Sequence, residues 1–572
     1  MKLTPLLAAT AAALALATSA VAQGAPPTLA LTLTPHQTAG AVDQVGVTLN
    51  LQAPNAKPGE PFLRLPMVFA SVKTQQYEAA QIEVVDAKGA VPLVQKDDAA
   101  DTANFIYFRR WQVARPTEGD VIVRYKAAAS TFRPKLGSGP PFDLRPEAGG
   151  LNGAGVTFLA LPDNSRPYSL SLGWDLSAMP AGSRGAQSLG EGELKLVGPV
   201  DLLANTFYMA GPMKSYPETS KGQPFAIYWL GTPPFDVPAV AEWTEKARTA
   251  IAAFFGQPDK PYRVFFRHNP YPGTGGAGLI NSFMSGFGDD PAPTVDGMRH
   301  HLAHEIVHNW PGSLDGPNGI VSWYGEGMAE FYSATIPWRA GLISTDDFLA
   351  QVNERAQSYY GNPVNTAPAE EIAAKFWSDT RVRKLPYDRG AFYMAIVDAQ
   401  IRAKSGGQRR LDDITKAMIA RREAGQPHDT AAWLELLTKE LGPQAKTEFE
   451  AMMAGKLLVP ASDAYGPCFQ REAAQFRSFE LGFDSASLTT NPRIVKGLVA
   501  GSQAAAAGVR DGDEITEAVV LDAVQAKPEQ TITLKIRRQG QDLSITYLPR
   551  GKAQDGYRWA RVTQVPDSKC AI

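Results

Sequence analysis

Cysteine is almost absent from this chain of 572 residues: there are two, Cys468 and Cys570, both near the C-terminal end. A cysteine-built metal knuckle and a disulfide-dense scaffold are therefore excluded. An excess of either charge is missing too. Lys and Arg number 56 against 58 Asp and Glu, for a net charge of -2, so no basic stripe invites nucleic acid or an anionic membrane surface. Histidine is scarce, with seven in the whole chain. There is no internal repeat, no long low-complexity stretch, and no apolar run that spans a bilayer comfortably. What remains, with 44% hydrophobic and 20% charged residues, is ordinary globular protein. The chain is too long for one hydrophobic core, and its length suggests about three or four domains.

The N-terminus carries the first positive signal. Lys2 precedes an apolar run from Leu6 to Ala17, followed by Ala20-Val21-Ala22. This is the pattern of a cleaved secretory leader over residues 1–22. It predicts an exported, periplasmic or secreted chain with no membrane anchor in its mature form. An oxidising compartment would let Cys468 and Cys570 pair, which the sequence alone leaves open.

From Thr28 to Val200 short alternating runs such as Leu29-Ala-Leu-Thr-Leu33 and Val121-Ile-Val-Arg-Tyr125 are punctuated by Gly, Pro, Asn and Asp. This predicts an all-β, sandwich-like domain over 23–205. Strand character persists near Phe225-Ala-Ile-Tyr-Trp229 and Val264-Phe-Phe-Arg267, and helical periodicity then dominates, giving a second domain over 206–460. Residues 461–477 read as a linker, 478–555 as a small β domain and 556–572 as a tail. The fold class is multidomain α+β.

Four of the seven histidines fall between His300 and His308, in a segment that Thr294 or Asp296 can cap and that Pro311-Gly312 must end. On a helix His304 and His308 lie one turn apart on one face, where their imidazoles can share a metal ion. Glu305 flanks that ion as a general base without binding it. A tetrahedral catalytic zinc needs a third protein ligand and an open position. Glu326, in the helical pattern Trp323-Tyr-Gly-Glu-Gly-Met-Ala-Glu-Phe-Tyr332, suits the third, with one Zn2+ per chain. Glu330, one turn further, can accept the free N–H of a ligating histidine and fix its tautomer. His301 is the rival ligand; the plainer reading makes His300 and His301 solvent or core residues. Such a site suits hydrolysis of peptide bonds.

These residues resemble the glycyl aminopeptidase family (M61) of glutamate-zincin peptidases, relatives of thermolysin-like aminopeptidases. The resemblance rests on the segment from His304 to Trp310, on Glu326-Gly327, and on Tyr387-Asp-Arg-Gly390 with the helix after it. It implies a thermolysin-like, mainly helical catalytic domain, peptide substrates, and Tyr387 as donor to the transition-state oxyanion. The family's strand along the substrate matches Gly275, Gly276, Ala277 and Gly278, but Gly278 stands where relatives carry the glutamate that holds the substrate amine. Removal of that carboxylate leaves three alternatives: an endopeptidase, a preference for blocked N-termini, or an anchor supplied elsewhere, as by Asp289 or Asp290.

Residues 479–550 are similar to a PDZ domain, with Leu481, Gly482 and Phe483 as carboxylate loop and Gly501-Ser-Gln-Ala-Ala-Ala-Ala-Gly-Val-Arg-Asp-Gly-Asp-Glu-Ile515 as the specific match. Such domains receive peptide C-termini by strand addition. The competing reading from another class is a non-catalytic peptide-binding scaffold with a residual zinc site.

Overall fold

The computed structural model describes residues 25–70, 72–101, 107–130, 141–269, 275–288, 293–317, 319–376, 379–519 and 521–570, without the side chains of 522, 523 and 526. The leader over 1–22 and the pair Asp289 and Asp290 lie outside the described residues. Among the described residues no helix is long and apolar enough to cross a membrane.

The N-terminal part is all β. Its seven-stranded sheet centres on Thr28–Thr38, parallel to Tyr168–Trp174 and antiparallel to Ala41–Leu51. Along Thr28–Thr38 every second side chain is buried, which sends Leu29, Leu31 and Leu33 into a core shared with Val45, Val47, Leu49 and Trp111. Sheets of four and five strands complete this part. Its last strand, Phe207–Gly211, pairs with Gly150–Ala154 and Arg184–Gln187, so the β part runs past the boundary expected at 205. That strand is buried on both faces and therefore has no alternation for a sequence pattern to show.

A mixed five-stranded sheet follows, in the spatial order Lys214–Tyr216, Phe225–Trp229, Tyr262–His268, Ser282–Phe287 and Gly275–Leu279. The glycine-rich strand Gly275–Leu279 is its edge, antiparallel to Ser282–Phe287. Helices fill the remainder. Thr294, not Asp296, caps the first metal helix, Val295–Val307, by accepting the Gly297 N–H. Met298, Leu302 and Ile306 bury its inner face. The second metal helix, Ser322–Arg339, crosses the helix Leu385–Lys404 at backbone contact. A Cβ on Gly327 would lie 2.5 Å from the Gly390 carbonyl carbon, and one on Gly390 2.4 Å from the Trp323 carbonyl oxygen. Only a glycine pair allows this crossing, and the crossing sets Tyr387 beside Glu326.

Residues 461–477 and 556–572 depart from the linker and tail expected of them. Phe469–Phe479 pairs antiparallel with Arg550–Arg561, so the two segments form one ribbon. The ribbon lies on the helix Thr345–Tyr360: Phe476 stacks on Tyr360, and the backbone of Trp559 exchanges two hydrogen bonds with the Asn353 amide. A disulfide joins Cys468 to Cys570 at a Cα–Cα distance of 5.1 Å. The middle of Phe469–Phe479 is polar and largely open to solvent, which hides it from periodicity.

The small C-terminal module is thus nested between the two ribbon strands. It has its own core, including Leu481, Phe483, Val495, Ile515, Leu534 and Tyr547. The loop Leu481-Gly482-Phe483 is present, with Gly482 at φ 87° and its carbonyl accepting the Val499 N–H. Beyond it comes a 3-10 turn, Ser485–Leu488, started by Asp484 accepting the Ala486 N–H. The side chains of Leu481 and Phe483 are buried in that core, and the Asp484 N–H donates to the Lys496 carbonyl.

Candidate metal centre

His304 comes from the last turn of the first metal helix, and His308 immediately follows it with helical backbone angles. Glu326 comes from the first turns of the second metal helix. Nε2 of His304 and Nε2 of His308 are 3.1 Å apart, and Oε2 of Glu326 lies 3.3 Å from the first and 3.4 Å from the second. Ligands about 2.0–2.2 Å from a tetrahedral zinc are separated by about 3.3 Å along each edge of the tetrahedron. The three atoms are thus one face of such a tetrahedron, and the donor set fits zinc.

The electrostatics agree. Burial opposes charge on His304, but Glu330, Glu326 and Glu305 outweigh it and raise the imidazole to about 10. Burial likewise favours a neutral Glu326, yet the two imidazoles lower it to about 2. The pocket therefore calls for positive charge, which a divalent cation supplies without a proton between facing ring nitrogens. Nδ1 of His304 lies 3.3 Å from Oε1 of Glu330, and this neighbouring carboxylate favours the proton on Nδ1, which leaves the Nε2 lone pair for the centre. Glu330 is also paired with Arg355, a residue without a sequence signal.

Glu305 projects from the same helix, and its carboxylate has no hydrogen bond or ion pair among the described residues. Burial raises its carboxyl above the ordinary range, against His304 and His308. The Tyr387 ring stacks on His304 at 5.8 Å. Burial, reinforced by Glu326, Glu305 and Glu330, pushes its hydroxyl well up, so it remains a protonated donor. His300 and His301 stay outside the triangle. Nε2 of His300 lies 4.0 Å from Glu330, and His301, lowered to about 3 by burial, packs edge-on against Phe283.

His304, Glu305, Glu330 and Tyr387 line a cavity of about 510 Å³, which also reaches Gly276 on the edge strand. At Gly278 an added Cβ meets nothing closer than the Ser282 carbonyl oxygen at 3.9 Å, so the position is open and simply lacks a carboxylate. Sequence reasoning missed the far wall. Glu354, from Thr345–Tyr360, is exposed and unpaired there, whereas Asp388 accepts from Ser358 and lies 4.0 Å from Arg355. Lys384, Arg477, Phe479 and Arg550 line it as well.

No protein-family profile matches the chain, and no curated protein matches it. Among solved structures, an aminopeptidase N family protein from Idiomarina loihiensis is similar with a TM-score of 0.61 and 15% identity, covering 93% of this chain and 98% of that one. An M1 zinc metallopeptidase from Deinococcus radiodurans, bound to a Tyr-Ser-Ala substrate, gives a TM-score of 0.47 and 17% identity over 76% and 95%. Native yeast LTA4 hydrolase gives 0.45 and 12% over 76% and 68%. The first likeness, extending over nearly the whole of both chains, establishes the fold: this chain is built like an aminopeptidase N family protein.

Proposed function

We propose that the chain is an exported zinc peptidase that removes N-terminal residues from short peptides. The observation that carries this reading is the triangle of His304, His308 and Glu326 with the uncommitted carboxylate of Glu305 beside it. A purely structural zinc site has four protein ligands, whereas three leave a position open. Zinc held there supplies Lewis acidity and a water acidified to a pKa of about 7.

The chain's own groups do the rest. Glu305 takes the proton of the attacking water and returns it to the leaving amine. Tyr387 donates its hydroxyl proton to the oxyanion as charge develops there. Glu330 holds His304 in one tautomer, and Arg355 neutralises Glu330. The strand Gly275–Leu279 offers an edge for an extended substrate. Glu354, an unpaired carboxylate in the same cavity, receives the substrate amine in place of the residue missing at Gly278. The likeness to glycyl aminopeptidases is consistent with these roles, and the leader over 1–22 together with the disulfide supports export. We read the C-terminal module as a PDZ-like fold.

Zinc content and hydrolysis of free and N-acetylated tripeptides test this reading, with Glu305→Gln as control. One zinc per chain is expected, with free peptides cleaved faster than acetylated ones. The variant should lose about 10²–10⁴-fold in rate, the usual contribution of a general base. Equal cleavage by the variant removes the assigned chemistry; equal cleavage of acetylated peptides converts the reading to an endopeptidase.

A further inference from the structure

Beside Glu354 and Asp388 the far wall of the cavity carries an excess of cations, among them Arg381, Lys384, Arg477 and Arg550, and these are not equivalent. Arg381 is neutralised by Asp379 through two hydrogen bonds. Lys384 and Arg477 are exposed, and their side chains make no hydrogen bond or ion pair among the described residues. Arg550 is 3% exposed, and its guanidinium donates only to the carbonyls of Pro549, Val524 and Lys527. Among the described residues no carboxylate comes within ion-pair distance of it, although Glu529 acts on it from further away. A buried cation lacking a counter-ion is costly, and an anion in the adjoining space offsets part of that cost.

We infer that Lys384 and Arg477, in the field of Arg550, form a subsite for the C-terminal carboxylate of the substrate, so that the preferred substrates are peptides of about two to four residues. The inference rests on reading the cavity as a peptide site. Its length limit comes from the structure: Lys384 Nζ is 5.8 Å from the Tyr387 ring, which is 5.8 Å from the His304 ring. Those two steps span at most about three residues of extended chain at roughly 3.3–3.6 Å each. The cavity volume of about 510 Å³ is that of a small-molecule site and not of a polypeptide groove. Two of the three cations come from the ribbon, Arg477 from one strand and Arg550 from the other, which gives the C-terminal region a direct part in choosing substrates.

The carboxylate could belong to the chain end or to an acidic side chain, and the test separates them. Zinc-loaded Glu305→Gln protein is titrated calorimetrically with Ala-Ala-Ala, with its C-terminal amide, and with Ala-Glu-Ala amide. The free acid is expected to bind about fivefold tighter than either amide, since an exposed ion pair contributes up to a factor of about five. Lys384→Ala combined with Arg477→Ala, both at exposed positions, should bring the ratio of acid to amide to about one. Equal binding of acid and amide overturns the inference, as does recovery of tight binding by Ala-Glu-Ala amide, or failure of all three peptides to bind. If wild-type protein hydrolyses no peptide, the peptidase reading fails, yet the acid-to-amide ratio still reports on the subsite.

Discussion

The two walls of the cavity are built in opposite ways. The metal wall takes its groups from two successive helices, within 26 residues of one another along the chain, and each is fixed by a short-range rule: one helical turn between His304 and His308, one between Glu326 and Glu330. The cationic wall takes Lys384 from the helix carrying Tyr387, and Arg477 and Arg550 from ribbon strands 73 residues apart. The first is a local motif placed on rigid helices; the second exists only because distant segments pair. The proposed function assigns chemistry to the first wall and the proposed subsite assigns selection to the second, so mutations in each should fail differently.

The largest separation is expected from Glu326→Ala. With one corner of the triangle gone, zinc content by atomic absorption should fall from one per chain to nearly none, and hydrolysis with it, while circular dichroism shows the fold retained. Retention of zinc at full stoichiometry would move the third ligand elsewhere.

Removing the disulfide by Cys468→Ala with Cys570→Ala acts on the other wall. It spans 102 residues, and closing a loop of that size contributes up to about 4.7 kcal/mol in the chain-entropy treatment, commonly less. The variant should unfold at lower denaturant and lose its preference for free-acid peptides, with zinc content unchanged. Unchanged preference would show that the ribbon holds its place without the bond.

Asp388 joins the walls, and its effect is a slope with pH. Burial raises its carboxyl to about 6, against Arg355, Lys384 and Ser358. Between about pH 4 and 6 the folded state therefore holds a proton that the unfolded state has released, so this group's contribution is full below that window and is lost as pH rises through it. Asp388→Asn keeps the neutral form. Its unfolding free energy relative to wild type, from denaturant titration, should rise from pH 4 to pH 7, by an amount on the order of 3 kcal/mol at most. A flat difference would mean that Arg355 keeps Asp388 ionised throughout.

The smallest effect expected is at Glu354. Glu354→Gln should raise KM for free-amine peptides by up to about fivefold, the limit for an exposed pair, and leave kcat and acetylated peptides unaffected. A loss shared equally by acetylated peptides would reduce Glu354 to a surface charge.

Much of the metal wall was legible in the sequence because helical spacing converts residue number directly into position. The 3.6-residue period puts His304 and His308 on one face of their helix and Glu326 and Glu330 on one face of theirs, and Thr294 caps as a threonine before a helix does. Tyr387 needed the family resemblance, since nothing in the spacing distinguishes it among 18 tyrosines. The ribbon was read as linker and tail because its first strand is polar in the middle, and hydrophobic alternation fails on a strand that lies half in solvent. Residues 484–488 carry no such pattern: Asp484 starts a 3-10 turn there, a local device that hydrophobic periodicity does not display.

By itself the sequence determined which atoms can hold a metal and which carboxylate stands free beside it, because those relations lie within single helices or between successive ones. Tertiary structure alone decided that Cys468 meets Cys570, that Gly327 meets Gly390 and so brings Tyr387 to Glu326, and that Arg477 and Arg550 face the metal across one cavity. Those contacts join residues separated by 60 to more than 200 positions, and at such distances the pairing is set by the packing of whole elements, which no local period encodes.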